Sequence, residues 1–94
     1  MYKLLLEERV LKVLKDIKQY PAKAHRQITL KIFSLQFEPR PADCKKIGIG
    51  YRVDVGEHRI FYTVDDRDRG VTIELVGPRN DREIYELAQR LGLL

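Results

Sequence analysis

Ninety-four residues make one small domain with a thin core, expected to span positions 1–94. With 44% apolar and 34% charged residues, the composition excludes a disordered chain. No apolar run approaches the length of about 18 residues that a membrane span needs. The short run Leu4-Leu5-Leu6 ends at Glu7 and Glu8 with no small-residue cleavage site after it, so no secretory signal is expected either.

Cys44 is the single cysteine and has no internal disulfide partner, which suits a reducing, cytoplasmic setting. Together with two histidines in unrelated positions it gives no metal-site spacing, so neither metal nor cofactor is expected. The net charge of +4 and isoelectric point near 9.3 point towards a polyanionic partner. Its distribution is uneven: residues 1–36 carry +5, residues 37–64 carry +1 and residues 65–94 carry −2. The basic excess of the first third is equally well read as the solvated faces of helices.

Tyr2 to Leu6 reads as a short strand. From Glu7 the spacing becomes helical, with Val10, Leu11, Val13, Leu14 and Ile17 as an apolar stripe and two glutamates at the positive end of the helix dipole. Pro21 breaks this run and opens a second helix in which Ala24, Ile28, Ile32 and Leu35 share a face. A helical hairpin joined at Gln19-Tyr20-Pro21, with Tyr20 packed beneath the joint, is the economical arrangement. The prolines of Phe37-Glu38-Pro39-Arg40-Pro41 then impose a loop, in which Lys45-Lys46 is also placed.

Beyond it the period changes to two. Residues 51–55, 59–64 and 71–76 read as three antiparallel strands of a meander joining a small sheet, and Asn80 to Leu91 as a closing helix with Ile84, Leu87, Ala88 and Leu91 inward. The fold class is α+β. Gly56-Glu57 suits a two-residue turn, which sets Val55 opposite His58, Asp54 opposite Arg59, Val53 opposite Ile60 and Arg52 opposite Phe61. Val53, Val55, Ile60 and Tyr62 then face the core, while Arg52, Asp54, Arg59 and Phe61 share a solvent-facing surface. Two arginines beside an aromatic ring suit a nucleic-acid backbone. A cross-strand ion pair between Asp54 and Arg59 explains the same spacing without any ligand.

The combined pattern is more specific. Tyr51-Arg52-Val53-Asp54-Val55-Gly56-Glu57-His58-Arg59-Ile60-Phe61-Tyr62 precedes an acidic turn, a valine-rich strand and Gly77-Pro78-Arg79-Asn80-Asp81-Arg82-Glu83-Ile84-Tyr85. This resembles the RelE/ParE superfamily of toxin–antitoxin toxins over the whole chain, most strongly over residues 51–85. The resemblance to its RelE branch implies a ribosome-dependent, metal-independent endoribonuclease that cuts mRNA in the ribosomal A site. It implies Arg59, Arg79 and Tyr85 as catalytic residues, with Tyr85 as general base or as a ring that stacks on and orients a base. Arg52 would hold the flanking backbone, and Lys45, Lys46 and Arg82 would extend the substrate track. The implied partners are the ribosome with mRNA, and a cognate antitoxin.

One position departs from the family. RelE-type toxins carry two alternating lysines in the first hairpin strand, where this chain has Arg52 and Asp54, the second a charge reversal. Two rival readings follow. ParE relatives poison DNA gyrase without chemistry, but generally lack the terminal arginine–tyrosine set; a weakened toxin that keeps antitoxin binding fits Asp54. Without a ligand, Tyr85 would be a core or helix-start aromatic, and Arg79 would pair with Asp81 or Glu83.

Overall fold

A computed structural model describes residues 1–17 and 21–94. The element order is β1 (Lys3–Leu6), α1 (Glu8–Ile17), α2 (Ala22–Ser34), β2 (Lys45–Ile47), β3 (Gly50–Val55), β4 (His58–Asp65), β5 (Gly70–Pro78) and α3 (Arg82–Arg90). The α+β class and the meander agree with the sequence reading. The helix joint and the packing expected of Tyr20 and of the Ile17 side chain lie outside the described residues, Pro21 apart. Among the described residues, no helix is long and apolar enough to cross a membrane.

The five strands form one sheet in the order β1-β5-β4-β3-β2, with β1 parallel to β5 and every other pair antiparallel. The strand β2 corrects the reading of Lys45-Lys46 as loop. Three residues are too short for an alternation signal, and the pairing to β3 is what makes them a strand.

Each sheet face has its own apolar layer. On one, Val10 of α1 and Ile28 and Ile32 of α2, with Leu35 just beyond, pack against Val53, Ile60, Tyr62, Val71, Ile73 and Val76. Leu11, expected inward, is 48% exposed, because the stripe on α1 is wider than its contact with the sheet. On the other face α3 and the tail bring Ile84, Leu87, Ala88, Leu91 and Leu93 onto Phe61 and Leu75.

A bulge in β5 makes the second layer. Phe61 pairs with Leu75 but Tyr62 pairs with Ile73, so Glu74 is an extra residue. Arg9 of α1 donates from Nε to the Glu74 carbonyl at 2.6 Å and from Nη2 to its carboxylate at 3.1 Å. The slip turns Leu75 and Gly77 to the α3 side, where strict alternation from Val71 and Ile73 would have kept them against α1 and α2.

Candidate nucleic-acid interface

The hairpin between β3 and β4 supplies the floor of the site. Gly56 takes φ +57° at the turn, a conformation that glycine adopts without steric cost. The register is the one the turn predicts: Val55 with His58, Asp54 with Arg59, Val53 with Ile60 and Arg52 with Phe61. Arg52 and Arg59 therefore project from neighbouring strands on the α3 side.

The closing helix supplies the wall. Asp81 caps α3, its carboxylate accepting from the backbone N–H of Glu83 at 2.8 Å and of Ile84 at 3.4 Å. That start places Tyr85 over the hairpin, with Oη 3.3 Å from Arg59 Nη1 and 3.5 Å from Arg52 Nη1. The Arg59 guanidinium lies 6.0 Å from the Tyr85 ring centroid. Arg79, in the turn before α3, is tied back to the hairpin: its backbone N–H donates to Glu57 O at 2.8 Å and its Nη1 to Gly56 O at 3.1 Å. Arg52, Arg59, Arg79, Asn80, Asp81, Arg82 and Tyr85 line an open cavity of about 500 Å³.

One carboxylate stands among these cations. Asp54 accepts from Arg59 Nε at 2.7 Å and Nη2 at 3.3 Å, and its Oδ2 is 3.9 Å from Arg79 Nε. Hydrogen bonding from Arg59, with Arg79 and Arg52 adding to the field, holds the Asp54 carboxyl below the usual carboxylate range. The same pairing raises Arg59 further. Asp54 occupies the Nε–Nη2 edge of Arg59 and leaves Nη1 directed at Tyr85. What the geometry offers is a shallow cleft with three guanidinium groups inside it, a fourth from Arg82 at its rim and one phenol, open to a chain of phosphates.

No protein-family model and no curated protein matches the chain. Solved structures do resemble it. The archaeal RelE–RelB complex from Pyrococcus horikoshii OT3 superposes with a TM-score of 0.75 at 25% identity, over 84% of this chain and 96% of that one. A mutant of the Escherichia coli toxin RelE in the free state gives 0.75 at 24% identity, over 96% of both chains. The intact E. coli RelBE toxin–antitoxin complex gives 0.68 at 22% identity, over 86% of this chain and all of that one. The fold is that of the RelE-type toxins.

Within this RelE fold the sequence-derived residues do not all fall together. Arg52, Arg59, Arg79 and Tyr85 meet in the cleft, and Arg82 lines its rim, 3.4 Å from Glu86 and largely exposed. Lys45 pairs with Arg52 and so shares its face. Lys46 pairs with Tyr51 and lies on the opposite face, its Nζ 5.0 Å from the Tyr51 ring centroid and donating to Gly48 O at 3.0 Å. Of these two lysines, Lys45 alone shares the face of the cleft. Phe61, expected at the surface beside the arginines, is 0% exposed because α3 and Leu93 cover it, so it offers no ring to a base. Arg79 pairs with Asp54 rather than with Asp81 or Glu83. Asn80 and Asp81 join the cleft unforeseen; Asp81, just before the helical pattern, was readable as a cap.

The depressed Asp54, and Asp43 and Asp66 shifted the same way, make stability depend on acid. Such carboxylates stabilise the fold above their unfolded value of about 3.9 and lose that contribution as pH falls through the lower folded value. The thermal unfolding midpoint is expected to drop as pH is taken from about 4 to about 2. Asp54→Asn should flatten this dependence; an unchanged slope would mean that the pair is not held in solution.

Proposed function

We propose that the chain is the toxin of a toxin–antitoxin pair and an endoribonuclease that cuts mRNA on the ribosome. The observation that carries this reading is the convergence of Arg52, Arg59 and Arg79 on one open cleft, with the Tyr85 hydroxyl facing the first two. Similarity to RelE chains supports it, including one complexed with an antitoxin peptide at TM-score 0.65 and 24% identity. The partners proposed for this chain are accordingly a cognate antitoxin, and the ribosome with mRNA, in the cytoplasm.

In the proposed reaction a ribose 2′-oxygen attacks the adjacent phosphorus and the P–O5′ bond breaks, leaving a 2′,3′-cyclic phosphate and a 5′-hydroxyl. The 2′-hydroxyl loses a proton and the 5′-oxygen gains one. Tyr85, as phenolate, is assigned to accept the first proton, and solvent water to supply the second. Charge developing on the phosphoryl oxygens is met by Arg79, oriented by its bonds to the hairpin turn, and by Nη1 of Arg59, the nitrogen that faces Tyr85 rather than Asp54. Arg52 and Lys45 hold the flanking backbone. Positioning of the mRNA is left to the ribosome, which suits a cleft this shallow.

Brief expression without antitoxin, followed by primer extension on cellular mRNAs, tests the reading. In-frame cuts within coding sequence are expected; intact mRNA with collapsed supercoiling and DNA damage would favour the gyrase-poison reading instead.

Asp54 opposes the RNA backbone and occupies one edge of Arg59, so Asp54→Lys should preserve or raise cleavage at matched salt. Asp54 is 42% exposed but the Arg59 side chain only 12%, so losing the pair should cost more than the ~0–1 kcal/mol of a fully exposed pair. Single-turnover cleavage of a programmed ribosome complex reads the effect. A large loss with the fold intact would show that Asp54 is needed to aim Arg59.

A further inference from the structure

Gly77 pairs with Arg59, and Arg59 with Asp54, so residue 77 ends the row of the sheet that carries the cationic site. A side chain there would stand beside Arg59 beneath α3. Ile84 fills that space instead. A Cβ on Gly77 would lie 2.5 Å from Ile84 Cγ1, 3.3 Å from Cγ2 and in hard contact with Cδ1. Carbon atoms in good contact are about 3.5–4.0 Å apart. The backbone does not demand glycine here, since positive φ among the glycines is confined to Gly48, Gly56 and Gly92. What Gly77 contributes is the missing Cβ, as expected where another element approaches a strand closely.

Ile84 immediately precedes Tyr85. Its side chain, partly buried, also packs against the cluster of Phe61, Leu75, Ala88 and Leu93, which limits its freedom to swing aside. A methyl group at residue 77 must therefore lift the first turn of α3, and Tyr85 with it. We infer that Gly77 is a positioning residue: it seats Ile84 on the sheet and so sets the distance from the Tyr85 hydroxyl to Arg59 and Arg52. The catalytic consequence of this seat rests on the ribonuclease reading; the seat itself does not.

A size-swap pair tests it. Gly77→Ala should lose the nuclear Overhauser contacts between the Tyr85 ring and the Arg59 side chain. Its maximal single-turnover rate should fall by about 10²-fold, the scale of an ångström's misplacement, with half-saturation little changed. Ile84→Ala deletes all three carbons that the new methyl would meet, so Gly77→Ala/Ile84→Ala should regain both the contacts and most of the rate. Retention of the Tyr85–Arg59 contacts in Gly77→Ala would overturn the inference. So would a folded double variant that fails to regain them. If Gly77→Ala does not fold, the double variant decides alone, folded with the contacts in support and folded without them against. Wild-type protein that cleaves nothing would end the ribonuclease reading, while the Overhauser contacts would still decide the seat.

Discussion

Arg79→Ala is expected to lower single-turnover cleavage on programmed ribosomes by about 10²-fold or more, the scale of losing one preorganised donor to a developing oxyanion. Arg79 is suited to that role by how it is held. Its backbone N–H and Nη1 are both tied to the hairpin turn, at Glu57 O and Gly56 O, and its side chain is 46% exposed beside Asp54. The guanidinium is thus fixed without being buried. Alanine keeps the backbone bond and should shift stability by roughly 0.5 kcal/mol or less, as exposed substitutions usually do. The rate, measured beside a thermal melt, separates the outcomes. A variant that unfolds would make Arg79 a clamp on the turn rather than a catalytic group.

Tyr85→Phe is expected to cost at least about 10²-fold in the same assay, within the range of about 10²–10⁴ attributed to a positioned acid or base. The substitution removes one oxygen and keeps the ring, the cap at Asp81 and the packing of Ile84. It therefore distinguishes the two roles a tyrosine can have here. The hydroxyl is the part of Tyr85 that faces both Arg59 and Arg52, which is why the loss is assigned to it. If Tyr85→Phe cleaves like wild type while Tyr85→Ala does not, the ring stacks on a base and the proton acceptor lies elsewhere.

Much of this architecture was legible in the residues, for reasons that differ from place to place. The β3–β4 register followed from the two-residue Gly56-Glu57 turn, because a tight turn leaves only one pairing that buries Val53, Ile60 and Tyr62 together. The helices followed from their apolar period. The edge strand Lys45–Ile47 was not legible: it is short, and its pairing partner Arg52 is brought to it by the fold. Nor was the bulge at Glu74, since Val71 to Val76 alternates as an unbroken strand does, and the slip is fixed by pairing with β4 and by Arg9. That bulge decides which face Leu75 and Gly77 take. The burial of Phe61 was missed for a related reason. Hairpin alternation defines two faces but does not say that a helix more than twenty residues later will cover one of them.

The site divides in the same way. Arg52, Asp54 and Arg59 fall on one face by register alone. Their meeting with Arg79 and Tyr85 came from resemblance to the RelE toxins, because no local spacing links the hairpin to α3. The Asp54–Arg59 ion pair followed from the register, and the structure shows which edge of Arg59 it holds. The structure adds what neither route gave: Arg79 also reaches Asp54, and the bare backbone of Gly77 lets Ile84 settle against the sheet.

The most direct test is to mix purified protein with an end-labelled mRNA, once bound in a ribosome with an open A site and once free in solution. A cut within the A-site codon of the ribosome-bound message, ending in a 2′,3′-cyclic phosphate, is expected, with the free RNA left intact. An untouched message on the ribosome, together with inhibition of DNA gyrase by the same preparation, would overturn the ribonuclease reading.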